Sequence, residues 1–170
     1  MRPRAARDGG FSLIEVLMVV LVLAIAAAIA VPMFANTHAS RLRAAAEMLA
    51  ADLAYAQVES MTHADDLRLV RFDAVSHRYA IVAMSNPNEP IHNPIADQPY
   101  EVTFGQGRAS PFHGVTILHF NLGGDNTLLF GQYGQLDQTT PATITLACRD
   151  RTITLTVDPV LGQVSIGPIE

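Results

Sequence analysis

The sequence contains no lysine and no tryptophan, and Cys148 is its one cysteine. An intrachain disulfide is therefore excluded, as is any zinc site built on paired cysteines. Cys148 lies in a strand-like run between Leu146 and Arg149, and a lone thiol there is best accommodated by burial. All 11 basic side chains are arginine, against 16 acids, for a net charge of −5. Such a balance opposes general affinity for nucleic acid, which needs patches that neutralise phosphates. Nucleotide-binding loops and nucleophile elbows are missing as well. The six histidines (His38, His63, His77, His92, His113, His119) are scattered, with no close pair at ligand spacing, so surface or turn positions are expected for them. Asp65-Asp66 falls short of the roughly 6–8 oxygens that a hard cation requires. No metal, no cofactor and no catalytic constellation is expected from these residues.

What the sequence has is one long apolar run. A leader with Arg2, Arg4 and Arg7 ends in Gly9-Gly10, and apolar residues then extend from Phe11 to Phe34, broken by one acid, Glu15. At about 1.5 Å per residue that run makes a helix of roughly 36 Å, enough to cross a hydrocarbon core of about 30 Å. A secretory signal peptide has a core of only about 7–15 residues, followed by a small-residue cleavage site. Here the small residues precede the run. Burying Glu15 in a membrane costs roughly 2.5–3.5 kcal/mol on insertion scales, so a partner is expected. Cleavage between Gly10 and Phe11 supplies one, since the new α-amino group lies one helical turn from Glu15. Arginines ahead of the run keep the leader cytoplasmic and put the rest of the chain across the membrane.

Gly10, Phe11, Ser12, Leu13, Ile14 and Glu15 together resemble the class III signal of the type IV pilin family, which includes the pseudopilins of type II secretion. The resemblance implies cleavage after Gly10 by a prepilin peptidase, N-methylation of Phe11, and an assembly role for Glu15 against the N-terminal amine of a neighbouring subunit. Asp8 departs from the usual basic leader. Residues 1–10 are then a removable leader, and its loss takes three arginines and one aspartate from the chain, moving the net charge from −5 to −7. Residues 11–35 form the transmembrane and assembly helix.

Pro32 removes one helical hydrogen bond and is expected to kink the helix near its exit. Over 36–62 the apolar stripe Leu42, Ala46, Leu49, Leu53, Ala56 recurs at helical spacing, opposite Arg41, Arg43, Glu47, Gln57 and Glu59. This predicts an amphipathic continuation of the helix. Thr62 to Asp66 end the pattern, and residues 63–170 read as a β-rich periplasmic domain. Expected strands are 67–72, 78–84, 100–104, 115–120, 127–133, 142–148, 152–157 and 163–166, clearest where Thr alternates with Ile, Leu or Val. A hairpin is expected at Arg149-Asp150-Arg151 and a turn at 158–162. Residues 85–99, rich in Pro and Asn, predict a surface loop, either a contact region or a plain insertion. The fold class is α+β: a long N-terminal pilin-like helix packed on an antiparallel β-sheet domain.

The tail narrows the resemblance. Phe130-Gly131-Gln132-Tyr133-Gly134, a Thr-Ile-Thr-Leu strand and Leu161-Gly162-Gln163-Val164 are similar to the GspH/FimT-like minor pilins, with Leu and Gln replacing the usual Thr and Arg of the ending. The resemblance implies a minor pilin or pseudopilin anchored in the inner membrane and then built into a filament. Its implied partners are prepilin peptidase, other pilin subunits, the inner-membrane assembly platform and membrane lipid. Two alternatives remain open. One is a DNA-uptake pilin that contacts DNA through Arg149 and Arg151, as some FimT-like proteins do. The other is a membrane-anchored periplasmic enzyme.

Overall fold

A computed structural model describes residues 12–35, 37–94 and 97–170, without the side chains of 29–35. The leader, Gly10 and Phe11 lie outside the described residues. The chain divides into two units, residues 1–37 and 38–170.

The first unit contains one helix, α1 (Leu13–Ala35). Leu13, Ile14, Val16 through Leu23 and Ile25 are each at least half exposed, so the helix has an apolar surface on every side. Pro32 falls within α1 at a position whose side chain is not described, and the expected kink rests on it. Side chains are described for 12–28, roughly 25 Å of helix. Among the described residues, no helix is long and apolar enough to cross a membrane.

In the second unit, α2 (Thr37–Thr62) is built from alanine and other strong helix formers. Leu42, Ala45, Ala46, Leu49, Leu53 and Ala56 are fully buried, which includes every member of the expected stripe. The opposite side is less polar than the sequence pattern suggests. Its outward row is Arg43, Glu47, Ala51, Ala54, Val58 and Met61, whereas Gln57 and Glu59 are half-buried. Arg43 and Glu47 pair at 3.0 Å, leaving the C-terminal half of the row without charge.

Strands follow in antiparallel ladders. β1 (Arg68–Asp73), β2 (Arg78–Ala83), β3 (Asn86–Pro90), β6 (Glu101–Thr103) and β8 (Thr127–Phe130) form one sheet in the order β3-β2-β1-β8, with β6 also on β2. β4 (His92–Asn93) and β5 (Gln98–Pro99) form a short ladder of their own. β7 (Val115–Asn121), β9 (Ala142–Cys148), β10 (Arg151–Val157) and β11 (Val164–Ile169) form a sheet ordered β11-β10-β9-β7. α2 and both larger sheets contribute to one apolar cluster, in which Phe72, Tyr79, Phe130, Ile144, Leu146 and Leu155 meet the helix stripe. Cys148 is buried, as its sequence setting suggests.

The segment 85–99 is not the loop expected from its composition. β3 pairs with β2 through Val82↔Pro90 and Ala83↔Asn86, and Ile91 N donates to Ile81 O at 2.8 Å. Pro87, Pro90 and Pro99 are compatible with strands because they lie in edge strands, where a missing N–H leaves no ladder broken, and Pro94 lies in a turn. β8 is shorter than expected, ending at Phe130, because Gly131 N donates to Gln135 O and turns the chain. Asp66 also does more than end a helix, accepting hydrogen bonds from Ser85 N and Ser85 Oγ, each at 2.9 Å.

Two tail turns converge on α2. Gln57 Nε2 donates to Gly134 O at 2.8 Å and to Leu161 O at 2.7 Å, linking residues 77 and 104 positions away. Gly162 has φ +64, and a Cβ added there would lie 2.1 Å from Gly134 O. The Gly131–Gly134 and Leu161–Gly162 elements that look like separate motifs in sequence are therefore one contact in space. Gly162→Ala is expected to destabilise the domain by roughly 1–3 kcal/mol through clash and left-handed strain. Gln57→Ala removes one part-buried and one exposed hydrogen bond and should cost about 0.5–1.5 kcal/mol. Urea unfolding midpoints of the two variants check both values.

Candidate functional site

The N-terminal segment is the first candidate. Ser12 O accepts from Glu15 N at 3.0 Å and Val16 N at 3.2 Å, so Ser12 is the residue from which α1 starts. Glu15 is then the third helical residue, in a Ser-x-x-Glu arrangement that suits the positive end of a helix dipole. That local role for the acid was visible in the sequence. Glu15 is exposed, and the apolar side chains beside it are likewise without cover in this chain.

Arg149 and Arg151 flank the β9–β10 hairpin. The register Arg151↔Cys148 leaves Arg149-Asp150 as a two-residue turn, with Arg149 at φ +58. Both arginines are exposed, with Asp150 between them, and Thr152 N donates to Glu170 O at 3.0 Å, placing the C-terminal acid alongside. Cys148 Sγ lies 3.9 Å from His38 Nδ1, fixing this end of the sheet to the start of α2.

The most concentrated polar chemistry in the domain was not anticipated from the sequence. Asp52 lies in the buried stripe of α2, 4 % exposed. Tyr79 Oη donates to its Oδ2 at 2.5 Å, Tyr100 Oη donates to its Oδ1 at 3.0 Å, and Arg108 Nη2 also donates to Oδ2. Arg108 further stacks over the Tyr100 ring at 4.9 Å, and Tyr55 stacks with that ring at 5.1 Å. Burial, with the Asp52 charge added, pushes the Tyr79 phenol well above its ordinary value, and the same two causes raise Tyr100. Burial pulls Arg108 down, but its bond and charge interaction with Asp52 outweigh this and leave it raised. A groove of about 260 Å³ adjoins Arg108 and is lined by Asn93, Tyr100, Gln106 and Glu101 among others. Both oxygens of the buried carboxylate are engaged from within, so the cluster is organised to hold α2 to β2 and to the 3-10 turn Gly107–Phe112. The sequence signal was a lone acid at a stripe position. Among the described residues, no group of three or more metal-ligating side chains occurs.

Residues 6–31 match the prokaryotic N-terminal methylation motif. No curated protein matches the chain. Among solved structures, it is similar to the minor pseudopilin EpsH from the type 2 secretion system of Vibrio cholerae, at 15% identity and TM-score 0.55, covering 75% of this chain and 96% of that one. It is also similar to the type IV minor pilin FimU of Pseudomonas aeruginosa, at 18% identity and TM-score 0.55, covering 78% and 92%. The domain has the minor-pilin fold. A domain of this fold in a chain that carries the methylation motif fits the family that the sequence resembles, and the helix-plus-antiparallel-sheet class is as expected.

Two outcomes test the account of Asp52. Asp52→Asn strips Arg108 of its counter-ion inside the fold and is expected to cost roughly 2–4 kcal/mol, less than a fully buried pair because Arg108 is partly solvated. The raised phenols fix the alkaline limb. Their stabilising neutral form is fully present below about pH 10, where unfolded tyrosine ionises, and is lost as pH rises toward the higher folded values. Thermal unfolding followed from pH 8 to 12 should show a fall beginning near pH 10, shallower in Tyr79→Phe.

Proposed function

We propose that the chain is a minor subunit of a type IV pilus or type II secretion pseudopilus. The observation that carries this reading is the conjunction, in one chain, of the methylation motif over residues 6–31 and the minor-pilin fold of the domain behind it. Prepilin peptidase cuts between Gly10 and Phe11 and methylates Phe11. The subunit waits in the inner membrane with its leader cytoplasmic and residues 36–170 in the periplasm. The inner-membrane assembly platform then transfers it into the filament.

The physical logic is one of unsatisfied surface. An apolar run of roughly 36 Å, counted through Phe34, is stable in lipid or against other such helices and unstable in water. Glu15 is costly in either setting until a cation meets it at its own depth. The α-amino group of Phe11 on an adjacent subunit is such a cation, present only after cleavage. Processing thereby creates the partner that assembly needs.

Intact mass and N-terminal sequencing of the membrane-extracted protein, with and without co-expressed prepilin peptidase, test the proposal. The expected product begins at methylated Phe11. A chain that still begins at Met1 alongside active peptidase overturns the filament reading. Glu15→Ala should insert and be cleaved normally, yet be recovered in filaments at least about tenfold less than the parent, the equivalent of losing one charged partner interaction.

A further inference from the structure

We infer that the C-terminal half of α2 and the two tail turns form a docking surface for the globular domain of an adjacent filament subunit. The inference rests on the filament reading above. Val58 and Met61 continue the outward row of α2 beyond its last charge, Glu47. Gln57, which precedes Val58 and lies beside Met61 one turn back on the helix, ties down Gly134 and Leu161, and a Cβ at Gly134 would lie 3.2 Å from Met61 Sδ. Tyr133, Val160 and Leu161 therefore join Val58 and Met61 in one place. All five are large, apolar or aromatic, and exposed: Tyr133 by 79% and Leu161 by 66%.

The size of this surface selects its occupant. Five exposed side chains of this kind make a patch of a few hundred Å², the range of the largest apolar patch of a monomer. That is below the roughly 800 Å² per side of a standard free-standing complex. The surface is therefore too small to hold a soluble partner or a second free domain by itself, but large enough to matter once the partner is held nearby by other means. Subunits that share a helical bundle through their N-terminal segments meet that condition, because tethering raises the effective concentration to about the millimolar range. A lipid surface fits poorly. Interfacial helices flank their apolar face with unpaired Lys or Arg, and here the nearest arginine on the row, Arg43, is already bound to Glu47. Gln57 has the enabling role, since its amide donates to a carbonyl of each turn and holds both against the helix.

The test places a photo-crosslinking amino acid at Val58 or Leu161 of the full chain, in cells assembling the filament, with Val75 as control. Val75 is 93% exposed in the β1–β2 turn, away from the surface. The expected result is an adduct from 58 and 161, absent from 75, with a protein that mass spectrometry identifies as bearing a pilin-type N-terminus. A chain cut after Gly10 and incorporated normally, with no adduct at either position, overturns the docking surface and leaves the filament reading standing. A chain never cut and never crosslinked overturns both. Adducts with lipid, or a stable dimer of the chain lacking residues 1–36, also overturn it. As an independent arm, Leu161→Glu should leave the melting temperature of the purified protein unchanged. It should reduce incorporation at least about tenfold, the effect of withholding one leucine-sized side chain from burial.

Discussion

The domain depends on one buried helix stripe. Leu42, Ala45, Ala46, Leu49, Leu53 and Ala56 lie on one side of α2 with no exposed surface, and residues from both larger sheets complete the cluster around them. A leucine of that kind contributes about 1.5–3 kcal/mol when fully buried, so the stripe outweighs any local preference in the strands it meets. It also carries an acid. Helical periodicity puts Asp52 among the leucines, where an unpaired carboxylate is not tolerated. Tyr79, Tyr100 and Arg108 are the consequence, three donors brought from distant segments to one carboxylate. The 3-10 turn that supplies Arg108 and the strand that supplies Tyr79 are thus fixed by a single position in the helix.

The same helix organises the tail. Strand alternation makes β9 and β10 a pair without help from α2, but nothing in their pattern says where the flanking turns go. Gln57 settles that by donating to one carbonyl in each. The close approach of Gly162 to Gly134 O follows, and it explains why Gly162 lacks a side chain, whereas a Cβ at Gly134 would instead meet Gln57 Nε2 at 2.8 Å. A tail motif that reads as scattered glycines is, physically, a seam closed by one amide.

Periodicity is legible wherever one face is buried and the other wet, and so the α2 stripe and the alternating strands at 151–157 agree with the sequence to within a residue or two. The burial of Cys148 is legible on the same ground. Residues 86–99 were misread because their pairing is tertiary: β3 is a strand only because β2 offers it an edge, and Pro87 and Pro90 are unremarkable there. The Asp52 cluster was missed for a related reason. Its members are separated by 27 to 56 positions, and no spacing rule joins them. The polar face assigned to α2 was drawn from identity alone, whereas Gln57 and Glu59 turn partly inward and leave alanine, valine and methionine outside.

The two helices pose opposite problems. α2 has one apolar face and a domain to cover it; its free energy is settled within the chain. α1 is apolar on every described side, and Glu15 alone interrupts it. Nothing in the 38–170 unit is needed to explain why α1 is helical, since Ser12 starts it and its residues propagate it. What α1 lacks is a medium. Lipid satisfies the apolar side chains but penalises Glu15; a bundle of identical helices satisfies the side chains equally and can also bring a cation to Glu15. On the filament reading proposed above, the carboxylate favours a helical bundle, where the α-amino group of a neighbouring subunit can meet it as well as that of its own chain.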